Sequence, residues 1–139
     1  MRVVVDTNIL LSGLMLPNSI PGKIMQAWRE NRFELVLSQF QLDEIGRVLA
    51  YPKIQKRLRW DETEITQFLQ QLFLRSIYLG NIATVAEVPA DANDNLILSA
   101  YIIGKAQYLV TGDKGIQALN EQYSILTAKE FVEQCHNQP

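Results

Sequence analysis

The chain predicts an α/β fold, a three-layer α/β/α sandwich around a central parallel sheet of four or five strands. Three observations carry that prediction. Short apolar runs alternate along the chain with segments of helical periodicity, the pattern of repeated βα units. Two of those runs, Arg2-Val3-Val4-Val5 and Tyr108-Leu109-Val110-Thr111-Gly112, end on Asp6 and Asp113, at the carboxyl edge where open parallel sheets bind ligands. With 139 residues, 47% of them hydrophobic, the chain can bury a core without staples, as one domain over 1–139.

Taken in order, the first strand ends at Asp6 and Thr7 to Leu16 reads as a turn into a short helix, interrupted at Pro17 and Pro21. Gly22 to Glu30 reads as helix and Phe33 to Leu37 as the second strand. Ser38 can cap a helix from Gln39 to about Ala50, where Leu42, Ile45 and Leu49 recur at helical spacing until Tyr51-Pro52 stops it. A basic helix or turn follows. Asp61 and Glu64 form an N-terminal capping pattern ahead of Ile65, Phe68, Leu69, Leu72 and Phe73, spaced as one helical face. The third strand falls in Ile77 to Leu79, and Asn81 to Val88 reads equally as strand or loop. Asp91 or Asn93 then caps a helix to Gly104 that is apolar almost all round and so buried. Tyr108 to Val110 is the fourth strand; a short helix at Gly115 to Leu119, a small strand at Ser124 to Leu126 and a helix from Thr127 to Cys135 complete the alternation.

A formal charge of −2 gives no global pull toward nucleic acid or anionic membrane, so any polyanion must be held by local cations. Cys135 is the single cysteine, which excludes an intrachain disulfide and a cysteine-based zinc site and fits the reducing cytoplasm. No run approaches the ~20 apolar residues of a membrane span, and the opening meets an acid too early for a signal peptide. No membrane association is expected.

Four widely spaced acids, Asp6, Glu44, Asp94 and Asp113, fall at strand ends or on helices that a parallel sheet brings toward one edge. Gathered there, they repel unless a divalent cation or protons neutralise them. Each also has a structural reading. Asp6 can cap the helix after the first strand, though Asp6-Thr7-Asn8 places more oxygen-bearing side chains together than a cap needs. Glu44 shares a stripe with Phe40 and Val48 and so points inward, or pairs with Arg47, while Asp43 faces solvent. Asp94 suits the first turn of its helix, with Asp91 competing for the inward position, and Asp113 suits a turn before Lys114-Gly115. Hydrolysis of a phosphodiester requires an activated water and stabilisation of developing charge; Mg²⁺ or Mn²⁺ held by carboxylates supplies both and needs no histidine, of which the chain has only His136.

The chain resembles the PIN domain, a superfamily of metal-dependent ribonucleases with a Rossmann-like sheet. Val3-Val4-Val5-Asp6-Thr7-Asn8-Ile9-Leu10 resembles the family's first signature, Ser38 through Glu44 to Val48-Leu49 its second, and Asp91-Ala92-Asn93-Asp94 and Thr111-Gly112-Asp113 its third and fourth. It is most similar to the subgroup of toxin components of toxin–antitoxin pairs. That resemblance implies a metal-dependent endoribonuclease with Asp6, Glu44, Asp94 and Asp113 as catalytic, Mg²⁺- or Mn²⁺-holding acids, and Asn8 and Thr111 as polar supports; Thr7, by its place beside Asp6, is a further polar support able to hold a metal-bound water or a phosphate oxygen. It also implies an RNA substrate, a cognate antitoxin and a homodimer. The subgroup usually carries Pro and a further acid where Ala92 and Asn95 stand, which leaves the quartet intact and lowers the local negative charge.

RNA phosphates have one dense basic stretch to bind, Lys53, Lys56, Arg57 and Arg59 followed by Trp60, besides Lys114 next to Asp113. The same stretch reads equally as a solvated face with Trp60 packed as an anchor. The rival functions are an inactive PIN-like module that binds RNA or protein, a receiver-like regulatory domain, and a phosphatase of the haloacid dehalogenase type. A receiver needs an adjacent acidic pair after the first strand and an aspartate ending the third; the phosphatase needs a second aspartate where Asn8 stands.

Overall fold

Val3, Val4 and Val5 are all fully buried, which requires a strand covered on both faces. The computed structural model describes residues 1–85 and 92–137, with backbone only at Ala92 and Asn93. Strand β1 (Arg2–Val5) is followed by helices α1 (Thr7–Met15) and α2 (Ile20–Arg29), and β2 (Glu34–Leu37) by α3 (Gln39–Leu49), α4 (Pro52–Leu58) and α5 (Glu62–Leu74). Then come β3 (Ser76–Tyr78) and α6 (Ala92–Ile103), β4 (Tyr108–Val110) and α7 (Lys114–Gln117), and β5 (Ile125–Leu126) and α8 (Ala128–His136). The five strands form one sheet in the order β3-β2-β1-β4-β5, every pair parallel.

Alternation along each strand divides the core in two. Val3, Val5, Leu35, Leu37 and Val110 face a layer built from α1, α2, α3, α5 and α8, with Leu49, Leu72 and Phe131 among its fully buried residues. Val4, Val36 and Leu109 face the opposite layer, where α6 and α7 contribute Ile97, Leu98, Ala100 and Ile116. The two crossovers toward β3 use the first layer and the two toward β5 the second, so all connections share one hand. Expected and observed architecture agree: an α/β/α sandwich, here with five strands.

Local chemistry explains the helix starts. Ser38 caps α3 by accepting from the Gln41 amide, and Asp61 and Glu64 form a reciprocal capping box on α5. Pro21, expected as an interruption, instead lies in the first turn of α2, which Ser19 caps; there the missing N–H costs nothing. The short helix expected after Asp6 begins at Thr7 itself, capped by Asp6, with no turn before it. Its Gly13 lets α2 approach so closely that a Cβ would lie 2.6 Å from the Pro21 carbonyl. Phe33 sits before β2 rather than in it, edge-on to Phe131 at 5.1 Å. The third strand begins one residue earlier than expected, and α6 is buried along its middle while Ile102 and Ile103 emerge into solvent. Asn93 lies inside α6 rather than capping it; Asp91 and part of Asn81 to Val88 lie outside the described residues. Thr127 caps α8 in a second capping box with Glu130. Among the described residues no helix is long and apolar enough to cross a membrane.

Candidate active site

The chain leaves β1 toward β2 on one side and leaves β4 toward β5 on the other, so the adjacent β1 and β4 define the switch point where a parallel sheet opens a crevice. Asp6 and Asp113 stand at that crevice. The Asp6 amide extends the ladder, donating to the Val110 carbonyl at 2.9 Å, so its side chain emerges just beyond the paired strands. Thr111, fully buried, joins the two aspartates: its hydroxyl donates to Asp6 Oδ2 at 2.8 Å and accepts from the Asp113 amide at 3.1 Å. Its own amide donates to the Leu126 carbonyl, and its carbonyl accepts from Gln117 Nε2 at 2.8 Å. Thr111 is thus anchored through its amide, its carbonyl and its hydroxyl together.

Both aspartates are also helix caps. Asp6 Oδ1 accepts from the Asn8 amide at the start of α1, and Asp113 Oδ2 accepts from the Ile116 amide at the start of α7. Capping therefore orients these acids without withdrawing them from the crevice.

Glu44 arrives from the middle of α3 and Asp94 from the first turn of α6, and all four acids line one cleft of about 380 Å³. Asn8 and Ser12 add polar groups to it, Phe40 and Ile97 apolar wall, and among the described residues no basic side chain lines it. The Glu44–Arg47 pair exists only at its outer limit, 4.0 Å, with the Arg47 side chain 65% exposed. Such a contact in solvent contributes little, and Glu44 remains part of the cleft wall. Asp43 is exposed and accepts from Gln39 instead. Among the described residues no three acids stand close enough together to hold a metal ion as their side chains are placed.

Other residues singled out by sequence fall into place differently. Thr7 is buried away from the cleft, its hydroxyl accepting from Gln41 Nε2 at 3.4 Å, so it supports the strand end and does not reach into the crevice. Lys53, Lys56, Arg57 and Arg59 are all exposed on α4 and its left-handed C-cap, outside the cleft, on a helix that packs against α1 and α3. Trp60 packs on Phe68 with ring centres 5.4 Å apart, the anchor arrangement rather than an open stacking platform. Lys114, at the start of α7, is exposed beside Asp113. Cys135 is buried, and that burial pushes its thiol up, with Arg32 opposing, which makes it a poor nucleophile.

Sequence reasoning missed Gln41. It is fully buried and donates from Nε2 to the Val5 carbonyl at 2.8 Å, directly before Asp6. A polar residue one turn ahead of Glu44, between the inward-facing Ser38 and Ile45, was the available signal. Phe40 had one in its place on the Glu44 stripe, four residues earlier; Ser12 as a cleft residue had no comparable one.

A family model for the PIN domain matches residues 2–115, the stretch that contains β1 through β4 and all four acids. The chain belongs to the PIN-domain family. It is also 33% identical over 143 residues to an uncharacterized protein, MJ1680, of Methanocaldococcus jannaschii, an alignment covering 96% of this chain and 90% of the relative. PIN domains are generally nucleases and typically use divalent metal ions. In this PIN domain the donor chemistry suits such an ion: four carboxylates on four elements, no cationic side chain among the described lining residues, and a threonine and two helix starts holding two of the acids. The fit lies in the donor set, since the side chains stand too far apart to form ready-made coordination.

Proposed function

We propose that the protein is a Mg²⁺- or Mn²⁺-dependent endoribonuclease that hydrolyses RNA phosphodiester bonds. The observation that carries this reading is the meeting of Asp6, Glu44, Asp94 and Asp113 along one cleft with no basic side chain among its described lining residues. Carboxylates gathered on one sheet edge repel each other, and a hard divalent cation relieves that repulsion. When bound, such a cation supplies Lewis-acid charge for the attacked phosphate and lowers the pKa of water. The four acids would hold it, and one of them accepts the proton of the attacking water. Thr111 keeps Asp6 and Asp113 at a fixed relation while this happens, and Asn8 contributes a polar side chain at the rim. In-line attack at phosphorus forms a P–O bond to the water oxygen and breaks the bond to O3′, leaving a 5′ phosphate and a 3′ hydroxyl.

Phosphates flanking the scissile bond are held by Lys114 and by Lys53, Lys56, Arg57 and Arg59, on the helix beside those carrying Asn8 and Glu44. By its similarity to toxin PIN domains, the protein works in the cytoplasm as a homodimer restrained by a cognate antitoxin.

The test is incubation of the purified protein with mixed RNAs, with and without EDTA, beside Asp6→Asn. Cleavage is expected only with added Mg²⁺ or Mn²⁺, and the variant is expected to lose it while keeping its circular dichroism. RNA cut equally well in chelator overturns the metal-dependent mechanism. A second reading, a non-catalytic module that binds RNA or protein, draws on the spread of the acids; RNA retained but not cut in the presence of Mn²⁺ would favour it.

A further inference from the structure

We infer that Gln41 is a positioning residue for the acidic cleft, setting the distance between Glu44 and Asp6. The inference rests on the nuclease reading of that cleft. Gln41 and Glu44 are three residues apart on α3, so they leave the helix on neighbouring faces, one turn apart. The Glu44 side chain reaches the cleft wall while Gln41 turns inward, with no exposed surface at all. Its amide nitrogen donates twice, to the Val5 carbonyl at 2.8 Å and to the Thr7 hydroxyl at 3.4 Å. Val5 and Thr7 are the residues on either side of Asp6 in the chain. One side chain from the Glu44 helix therefore grips both neighbours of the first acid.

The register of β1 on β2 runs through Arg2↔Glu34 and Val3↔Leu35, and beyond it β2 turns away at Ser38 to begin α3. Val5 is thus at the end of its strand, where a carbonyl needs a donor from elsewhere. Gln41 supplies one. Hydrogen bonds fix direction as well as distance, which apolar packing does not, so these two bonds define where α3 stops along its own axis relative to the end of β1.

A second observation separates positioning from simple packing. The Gln41 carbonyl oxygen Oε1 is buried and has no hydrogen-bond partner among the described residues. A Leu or Met at this position would carry no orphaned side-chain oxygen but would leave the Val5 carbonyl without its donor, so the amide is kept for its bond to the strand end and not for packing. The amide keeps an unsatisfied atom in exchange for a directional grip on the strand end that presents Asp6, and acids that must share a cation tolerate little misplacement.

The experiment compares the parent protein with Gln41→Met, which keeps the volume and removes both donors, and with Ile45→Val, which trims the core on the same helix. Mn²⁺ affinity is read by electron paramagnetic resonance, and kcat and KM on a single-stranded RNA are measured beside it. Gln41→Met is expected to weaken Mn²⁺ binding by about fivefold or more and to lower kcat by about tenfold or more, with KM for RNA within about twofold, the signature of misplaced chemistry rather than lost substrate binding. Ile45→Val is expected to lower thermal stability and leave both readouts within about twofold. Unchanged Mn²⁺ affinity and kcat in Gln41→Met overturn the inference, as does an equal response from Ile45→Val. A measurement on the unmutated protein guards against misfolding of the variant: Mg²⁺ titration is expected to shift the Gln41 side-chain amide resonances in ¹⁵N spectra, although the residue does not line the cleft, and unmoved resonances overturn the inference too. If Asp6→Asn binds Mn²⁺ as tightly as the parent, the nuclease reading itself falls, and the role of Gln41 falls with it.

Discussion

Replacing Thr111 by Val removes a hydroxyl and keeps the shape, so the change isolates two hydrogen bonds. The first, from the hydroxyl to Asp6 Oδ2 at 2.8 Å, has a charged acceptor and belongs to the class that contributes about 1.5–3 kcal/mol. Asp6 is only half-buried, so water recovers part of that and the lower end applies. The second, accepted from the Asp113 amide at 3.1 Å, is a neutral bond of about 1 kcal/mol. A loss of about 2.5 kcal/mol follows, which at a urea slope near 2 kcal/mol/M moves the denaturation midpoint down by about 1.2 M with an unchanged slope. Thr111→Ser provides the contrast. It keeps both bonds and removes one buried methyl, which costs about 0.5–1.5 kcal/mol. The structure therefore orders the three proteins as Thr, Ser, Val in stability. Cleavage should separate them further, since Val frees Asp6 from Asp113 and Ser does not. A Val variant as stable as the Ser variant, and as active, would refute the account of Thr111 as the link between the two aspartates.

Replacing Lys53, Lys56, Arg57 and Arg59 by Gln should flatten the salt dependence of single-stranded RNA binding, by about 0.7 in the log–log slope for each phosphate no longer neutralised; an unchanged slope removes α4 from the RNA path. Glu130 is held below the usual glutamate range by the Thr127 backbone hydrogen bond and then by its side chain, so it stabilises the fold at pH values above that range and the contribution fades as pH falls through the folded value. Glu130→Gln keeps the cap geometry without the charge; its melting temperature should lie below the parent's at pH 7 and meet it once acid has protonated Glu130, and a gap that persists in acid would contradict this. Gly22→Ala would place a Cβ 2.2 Å from the Pro17 carbonyl oxygen, a backbone atom with little room to yield, so a cost toward the upper end of about 1–3 kcal/mol is expected in chemical denaturation.

The parts of the fold legible in the sequence were those set by local chemistry. The run from Arg2 to Val5, the Asp61–Glu64 box and the Ser38 cap each carry their physics within a few residues, and each element formed where that physics put it. The differences come from partners that residue type alone does not announce. Pro21 reads as an interruption until Ser19 is seen to cap the helix whose first turn holds it, and Thr7 reads as the start of a turn until Asp6 is seen to cap a helix that begins there. Trp60 is equally a stacking platform or an anchor until Phe68, eight residues on, is found against it. In the site, strand-end position was enough to bring Asp6 and Asp113 to the same crevice, and helical spacing was enough to turn Glu44 toward it. Neighbouring residues at a strand end diverge, so Thr7 turns inward while Asn8 lines the cleft, and the partner that receives Thr7 is Gln41, 34 residues away. Nothing local announces such a bond.

The structural and chemical readings of the acids, alternatives when only the sequence is considered, become the same reading in three dimensions. A carboxylate has two oxygens. Asp6 uses Oδ1 to cap α1 and Oδ2 to receive Thr111, while Asp113 caps α7 and Asp94 sits in the first turn of α6. Three helix starts thus open on the crevice that holds three aspartates, and the partial positive charge at those starts lowers the cost of collecting negative charge there. Glu44, from mid-helix, has no such compensation from its own element, and its ion pair among the described residues is a 4.0 Å approach by a largely exposed arginine. Three of the acids thus stand at helix starts, and the fourth does not. Were the acids mere caps, Glu44 would have no reason to face the other three; its presence on that wall is what the capping account leaves unexplained and what the proposed divalent cation would explain.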